Sequence, residues 1–599
     1  AQLRQRKYKP SAVRKEILRI TTFIQNTPRA QAISLKKPDM ILITQRNVEA
    51  QIKNWRNQLA IDRATIENSY NVELEIIVKF LSELKIENAD KFKKIIGSFM
   101  ELLSDDDVSQ SVKNQALKIL RKLSNYRNNL DLFKSIQDDL FELEFIKFLC
   151  EVIVEAKDDD NRLEFILGMV DFLDEASERI QVEFLENLKN DENNEFLNVL
   201  RSFLIRSFED FREHEKNYKE QNSDIKKIAR QVVFEKMHAT MNTLELLRLS
   251  CENHFEEMQN YLREQKAQGT VIKRSINFIA VIAEIFNKYV KSINEENHQL
   301  GIKIFDTIIE MLQGPCVENQ KAICNTKFLE NVQDLMVEIR DRTYQAKEES
   351  TSAKAEDEYW IIEINEKIII FLQAMLEGSY NEPLIKKISD HVDPHIFLER
   401  MIRLYNKYYK LSKKSRNRYI EKSNDEGKNI HSFMIHSEKD TYEEEEDGSK
   451  DLSLEDRANE FLAEGANIFT IMQLLQSMSP SISEKIKTFR EIEGGSLAAQ
   501  KAEKYYETHT ASIEIVNKRG ELQRVYFPLM KKTKFLSKRT KMIFEDNVNR
   551  NSLNEKIFGL LSNINAFEDE MELFLSCRRR GIRFNLTAFS KIRDFNLFL

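Results

Sequence analysis

The chain has 599 residues, more than one compact core accommodates, since single cores rarely grow past roughly 250 to 300 residues; several domains or an extended repeat array are expected. Lys and Arg number 91 against 98 Asp and Glu, and the net charge of -7 supplies no general attraction for nucleic acid or anionic lipid. Charged residues make up 32% while only 14 Gly and 8 Pro punctuate the chain, a balance that favours helices over strands and sets the fold class as mostly α.

The N-terminal AQLRQRKYKP has neither an initiator Met nor the apolar core of a signal peptide, and reads as the interior of something longer. From about 70 to 410, apolar residues recur at three- and four-residue intervals between polar faces, as in VELEIIVKFLSELK and DKFKKIIGSFMELLSD. Short polar connectors alternate with these helical patterns. Helices of this kind cannot each bury a face alone, so an irregular α-solenoid is expected, although no strict sequence period is visible. INFIAVIAEIF at 276–286 and KIIIFLQAML at 367–376 are the most apolar runs. Both fall short of the roughly 18 residues of a membrane span and are read as buried helices.

Two stretches break the pattern. DRTYQAKEESTSAKAEDE at 341–358 reads as a loop, and residues 412–451, poor in large apolar side chains and ending in the acidic run Glu443 to Asp447, read as a disordered linker and the main boundary. Helices resume after Leu452. In SIEIVNKRGELQRVYFPL at 512–529, Ile513, Ile515, Val525 and Phe527 alternate as in two strands joined across Lys518, Arg519 and Gly520. A small α+β module with a β-hairpin is therefore expected after the solenoid, followed by the helical stretch NEKIFGLLSNINAFEDEMELFLSCRRR.

No catalytic signature is present: GxxxxGK[ST], GxGxxG, GxSxG and HExxH are all missing, and the nine histidines have no partners at catalytic spacing. No enzymatic activity is assigned. Cys150, Cys251, Cys316, Cys324 and Cys577 are odd in number and scattered, which argues against a disulfide framework and fits a reducing cytosol. EEEEDGSKDLSL would put Leu454 where a calcium-binding loop needs a bidentate Glu, and KDDDNRLEF lacks the required Gly. Both acidic clusters read as solvated faces. The basic runs KKTKFLSKRTK at 531–541 and CRRRGIR at 577–583 read either as phosphate-facing patches or as a solvent-facing or membrane-adjacent surface.

LLRLSCENHFEEMQNYLRE at 246–264 closely resembles a segment of inositol trisphosphate receptors that ryanodine receptors share in weaker form. EMLQGPCVENQ at 310–320, FLQAMLEGSYNE at 371–382 and YYETHTASIEIVNKRGELQRVYFP at 505–528 follow in the family's order. The resemblance covers roughly residues 240–599. It implies a helical solenoid region at 1–239, a homology-associated helical domain at 240–411, the acidic linker at 412–451, a helical region at 452–504, and at 505–599 a juxtamembrane module that couples the cytosolic assembly to a gate. CENH and the Glu-Asn-Gln after QGPC resemble the inositol trisphosphate branch more than the ryanodine branch.

By the same resemblance, Glu252 and Glu310 match an activating cytosolic calcium site, and Glu377 in MLEGS matches a nearby supporting acid. Pattern alone reads the first two as solvated: Glu252 shares the polar side of its predicted helix with Glu245, Arg248 and Glu256, and Glu310 with Lys303, Asp306 and Gln313. In the family a backbone carbonyl from the C-terminal domain completes the ligands, so this chain is expected to bind calcium weakly. Lys541 and Phe544 in TKMIF resemble contacts to the phosphate and base of ATP, with one residue fewer between them; the other contacts come from a zinc-bearing segment that this chain lacks. The implied protein is a cytosolic regulatory piece of a homotetrameric calcium-release channel on the endoplasmic reticulum or another calcium store, taking inositol trisphosphate through a domain outside this chain. The alternative is a free-standing α-solenoid scaffold. RFNLTAFSKIRDFNLFL at 583–599 resembles the approach to the first membrane helix, but Lys591, Arg593 and Asp594 bar it from spanning, and it reads as a surface segment or a lead-in.

Overall fold

The computed structural model describes residues 63–528, apart from 106, 128, 220–225, 268–269, 272–274, 349–358, 379–381, 426–453, 493–495 and 517–521. Lys541, Phe544, Cys577, both basic runs and the C-terminal segment lie outside the described residues. The chain divides into two compact units, Ala1–Leu335 with Thr351–Glu377, and Met336–Ser350 with Gly378–Leu599.

The first unit holds α1 (Arg63–Glu87), α2 (Ala89–Ser104), α3 (Gln110–Ser124), α4 (Leu130–Glu142), α5 (Phe145–Glu155), α6 (Asp159–Leu173), α7 (Glu178–Asn190), α8 (Glu195–Lys219) and α9 (Lys226–Ser250). A 3-10 turn (Glu252–His254) leads into α10 (Glu256–Arg263). The two-residue strands β1 (Lys266–Ala267) and β2 (Thr270–Val271), α11 (Phe278–Tyr289), α12 (His298–Leu312), α13 (Val317–Cys324), the start of α14 (Phe328–Glu348) and α15 (Tyr359–Leu376) follow. Asn88, Asn129, Asp158 and Asn277 start their helices by accepting an otherwise orphaned backbone N–H.

A three-helix repeat organises this unit. Every third helix packs on the next, α3 on α6, α6 on α9, α9 on α12 and α12 on α15. Leu120, Ile166, Met169, Leu244, Leu247, Ile304, Ile308, Ile368 and Leu372 are buried along this row. Each such side chain contributes about 1.5–3 kcal/mol on burial. Polar bridges run along the same row: Arg121 to Asp171 at 2.6 Å, Lys303 to Glu245 at 2.6 Å, and Lys367 to Asp306 at 2.7 Å. Phe286, Phe305, Phe328 and Phe371 form one aromatic cluster with ring centroids 4.5–6.0 Å apart. The two most apolar runs become α11 and most of α15, as the sequence predicts for buried helices, and among the described residues no helix is long and apolar enough to cross a membrane.

The second unit contains α16 (Glu382–His391), α17 (Pro394–Asp425), α18 (Leu454–Met478), α19 (Pro480–Ile492), α20 (Leu497–His509), β3 (Thr510–Val516) and β4 (Leu522–Pro528). The two strands are antiparallel, with Ile513 opposite Val525 and Ala511 opposite Phe527. α17 and α18 pack along each other, and Arg400 donates to Glu464 at 2.6 Å across them in a nearly dry contact. Gly465 is required there, because a Cβ would lie 2.0 Å from the buried Tyr506 hydroxyl.

The sequence reading of two breaks is corrected where the structure describes them, and 349–358 and 426–451 lie outside the described residues. Residues 341–348 continue α14, and residues 412–425 continue α17. Their Lys, Arg, Gln and Glu are strong helix formers, and neither segment contains Gly or Pro, so low apolar content is not enough to stop a helix already under way.

Candidate functional site

The repeats α7–α9, α10–α12 and α13–α15 close in the same way. The fourth residue of each short first helix is a buried glutamine, Gln181, Gln259 and Gln320, at most 2% exposed. Its amide donates to two carbonyls three residues apart at the end of the repeat's third helix. Gln181 reaches Leu249 and Glu252, both at 3.2 Å. Gln259 reaches Glu310 and Gln313 at 2.7 and 2.9 Å, and Gln320 reaches Ala374 and Glu377 at 2.9 and 2.8 Å. A helix end leaves such carbonyls without intrahelical partners, and a buried amide can satisfy two at once. The backbones of all three acids singled out by resemblance, Glu252, Glu310 and Glu377, are therefore held by one recurring device.

The sequence pattern ran one helix through Glu252, and the structure corrects this. α9 stops at Ser250, and Glu252 opens a 3-10 turn in which Asn253 and His254 have φ of 63° and 58°. Two successive left-handed residues other than Gly are a strained way to turn the chain. Opposite them, α12 ends at Leu312 and the chain turns at Gly314, whose φ of 118° suits Gly; a Cβ there would come 3.0 Å from His254 Cβ. The Gly-Pro stop thus lets the two turns meet. Asn319 ties the neighbouring helices together by donating to the carbonyls of Gln259 at 3.0 Å and Met311 at 2.8 Å.

Glu252 and Glu310 are brought within electrostatic reach of each other and of Arg248. Glu310 is half-buried, and its Oε2 is fully buried with no hydrogen-bond partner; Gln259 Oε1 is in the same condition. Burial pushes the Glu310 carboxyl above the usual carboxylate range, with the Arg248 guanidinium working against the shift and the Glu252 carboxylate adding to it. Glu252 is about one-third exposed, and among the described residues its carboxylate receives only Arg248 Nη1, at 3.5 Å. Arg248 places its main hydrogen bonds on Glu245, Nε to Oε2 at 2.8 Å and Nη2 to Oε1 at 3.0 Å, and Lys303 adds a third at 2.6 Å. Burial opposes ionisation of Glu245, but these two cations hold it below the usual range. The Glu377 carboxylate accepts the Gly314 N–H at 3.3 Å and so supports the turn behind Glu310.

Among the described residues, no group of three or more His, Cys, Asp or Glu is arranged to hold a metal ion. What the pair provides is two acceptor carboxylates, one with an orphaned oxygen, next to a strained turn. That donor set suits a hard cation that takes oxygen ligands, provided further oxygens join it. Buried Cys251 and Cys316 flank the turns, and burial raises both thiols, so they are poor thiolate ligands. Pattern reading missed the three glutamines and the role of Arg248. The available signal was a Gln at the fourth position of each short amphipathic helix, and an acid three residues before and four after one Arg.

Residues 234–336 match the model of the family described as RyR and IP3R Homology associated. The match covers both Glu252 and Glu310, the turns that face each other and all of α10–α13. A homology-associated domain of the kind described for inositol trisphosphate and ryanodine receptors thus lies at 234–336 of this chain, and it supports the resemblance carried by CENH and QGPCVENQ.

Proposed function

We propose that the chain is the cytosolic regulatory and coupling segment of an intracellular calcium-release channel, in which Glu252 and Glu310 hold an activating calcium ion together with an oxygen from another part of the channel. The observation that carries this reading is the orphaned, buried Oε2 of Glu310 beside the loosely held Glu252 carboxylate. A buried acceptor without a donor is costly unless something fills it, and a bound cation would. Binding that draws the two acids together more tightly in the open arrangement would favour opening. Glu377 supports the turn at Gly314, and the paired strands at 510–528 serve the coupling module. The remaining assignments follow kinship: the inositol trisphosphate branch, ATP at Lys541 and Phe544, a tetramer, and the cytosolic face of a calcium store.

Glu310→Gln in the intact channel tests the reading. The expected result is a shift of the activating limb to higher calcium by about tenfold or more, since one charged ligand is lost. Unchanged calcium activation would sink it. The rival scaffold reading is separated by the gene beyond Leu599, where hydrophobic spans with a pore helix support a channel.

A further inference from the structure

We infer that Arg248 is a built-in counter-cation of the Glu252 and Glu310 pair, and that it lowers the affinity of the pair for a divalent cation. This rests on the reading of those two acids as calcium ligands. The geometry separates anchoring from competition. Two guanidinium nitrogens grip both oxygens of Glu245, at 2.8 and 3.0 Å, a fork that fixes the group in place. The remaining nitrogen is 3.5 Å from Glu252 Oε1, too long for a strong hydrogen bond yet close enough for charge attraction. Arg248 can therefore release Glu252 without leaving its anchor.

Glu245 itself is occupied twice, by Arg248 and by Lys303 at 2.6 Å, and so serves as the anchor of the cation rather than as a third ligand. The charge of Arg248 also reaches Glu310. Before any divalent ion arrives, Arg248 relieves the repulsion between the two acids. A divalent ion entering between them meets the positive guanidinium and must displace it from Glu252, so part of its binding energy is spent on that exchange. Glu245 restrains Arg248 from moving fully onto the pair, which makes Glu245 and Arg248 act in opposite directions on the same site. A purely structural ion pair predicts the same direction for both.

The test is calcium titration of the 599-residue chain by isothermal titration calorimetry, with helical content followed by circular dichroism. Arg248→Gln is expected to tighten calcium binding by roughly tenfold, the scale of one lost nearby charge, and Arg248→Lys to remain close to wild type. Glu245→Gln frees Arg248 and Lys303 to settle on Glu252 and Glu310 and is expected to weaken binding. Glu310→Gln serves as the reference and is expected to weaken it most. Unchanged or weaker binding by folded Arg248→Gln, or tighter binding by Glu245→Gln, overturns the role of Arg248 while leaving the site intact. Weak uptake at millimolar calcium is expected of wild type; no uptake in that range, or Glu310→Gln equal to wild type, overturns the calcium reading and this inference with it. Should Arg248→Gln lose helical content, Glu245→Gln and Arg248→Lys decide alone.

Discussion

Glu252 and Glu377 stand at the same place in two copies of one repeat, each three residues past the first carbonyl that a buried glutamine clamps. Their side chains nevertheless do different things. Glu252 enters a strained turn against α12 and faces Arg248 beside Glu310, whereas Glu377 accepts a backbone N–H from Gly314 and completes a hydrogen bond. The equivalent position in the middle repeat is Gln313, and there the acid has moved one turn earlier, to Glu310. A recurring backbone junction thus sets where an acid can be placed, and the neighbouring repeat determines whether its carboxylate is loosely held or satisfied.

The largest effect on this comparison should come from the clamps. Gln181→Leu, Gln259→Leu and Gln320→Leu each leave two helix-end carbonyls without their donor, and each should lower stability by about 2 to 4 kcal/mol in urea unfolding. Similar losses for the three would establish the junctions as equivalent, and a negligible loss at any one would break the equivalence. Gly314→Ala should cost about 1 to 3 kcal/mol in the same assay, because the positive φ of Gly314 and the approach of His254 leave no comfortable place for a methyl group. A neutral Gly314→Ala would mean that the two turns do not press together.

The smallest effect, and the sharpest contrast, lies in the acids. The Glu310 carboxyl is raised, so the folded state holds that proton more strongly than the unfolded chain does, and stability falls as pH rises through the folded pKa. Glu310→Gln mimics the protonated form. At neutral pH and without calcium it should therefore be more stable than wild type by about 1 kcal/mol, discounted for partial exposure, with the gain shrinking as pH falls towards the ordinary carboxylate range. Glu377→Gln, which keeps an acceptor for Gly314, should stay within about 0.5 kcal/mol of wild type at neutral pH. Thermal melts from pH 4 to 8 compare them. A destabilised Glu310→Gln would place Glu310 among acids satisfied by their own neighbours.

Much of the helical fold could be read from local pattern. The spacing of Ile279, Ile282, Ala283 and Phe286 marks a buried face, and the Gly-Pro at 314–315 marks a stop, because both follow from the geometry of one helix. Besides the helix run through Glu252, the readings that failed took polarity for a loop at 341–348 and for disorder at 412–425, where straight-chain polar residues carry a helix onward. The three-helix repeat was hidden because its connectors differ in length, which shifts Gln181, Gln259 and Gln320 out of any fixed period while leaving their contacts the same.

By itself, then, the sequence determined a mostly helical chain, the helix ends marked by special residues, and a kinship carried by CENH and QGPCVENQ. Only the tertiary structure decided that Glu252 leaves the helix, that Glu310 turns an unpaired oxygen inward, and that Arg248 is forked onto Glu245 with one nitrogen to spare. The physical reason is range. Periodicity and capping act within a turn or two of one helix, whereas the charge on a carboxylate depends on which distant segments remove its water and which cations they bring.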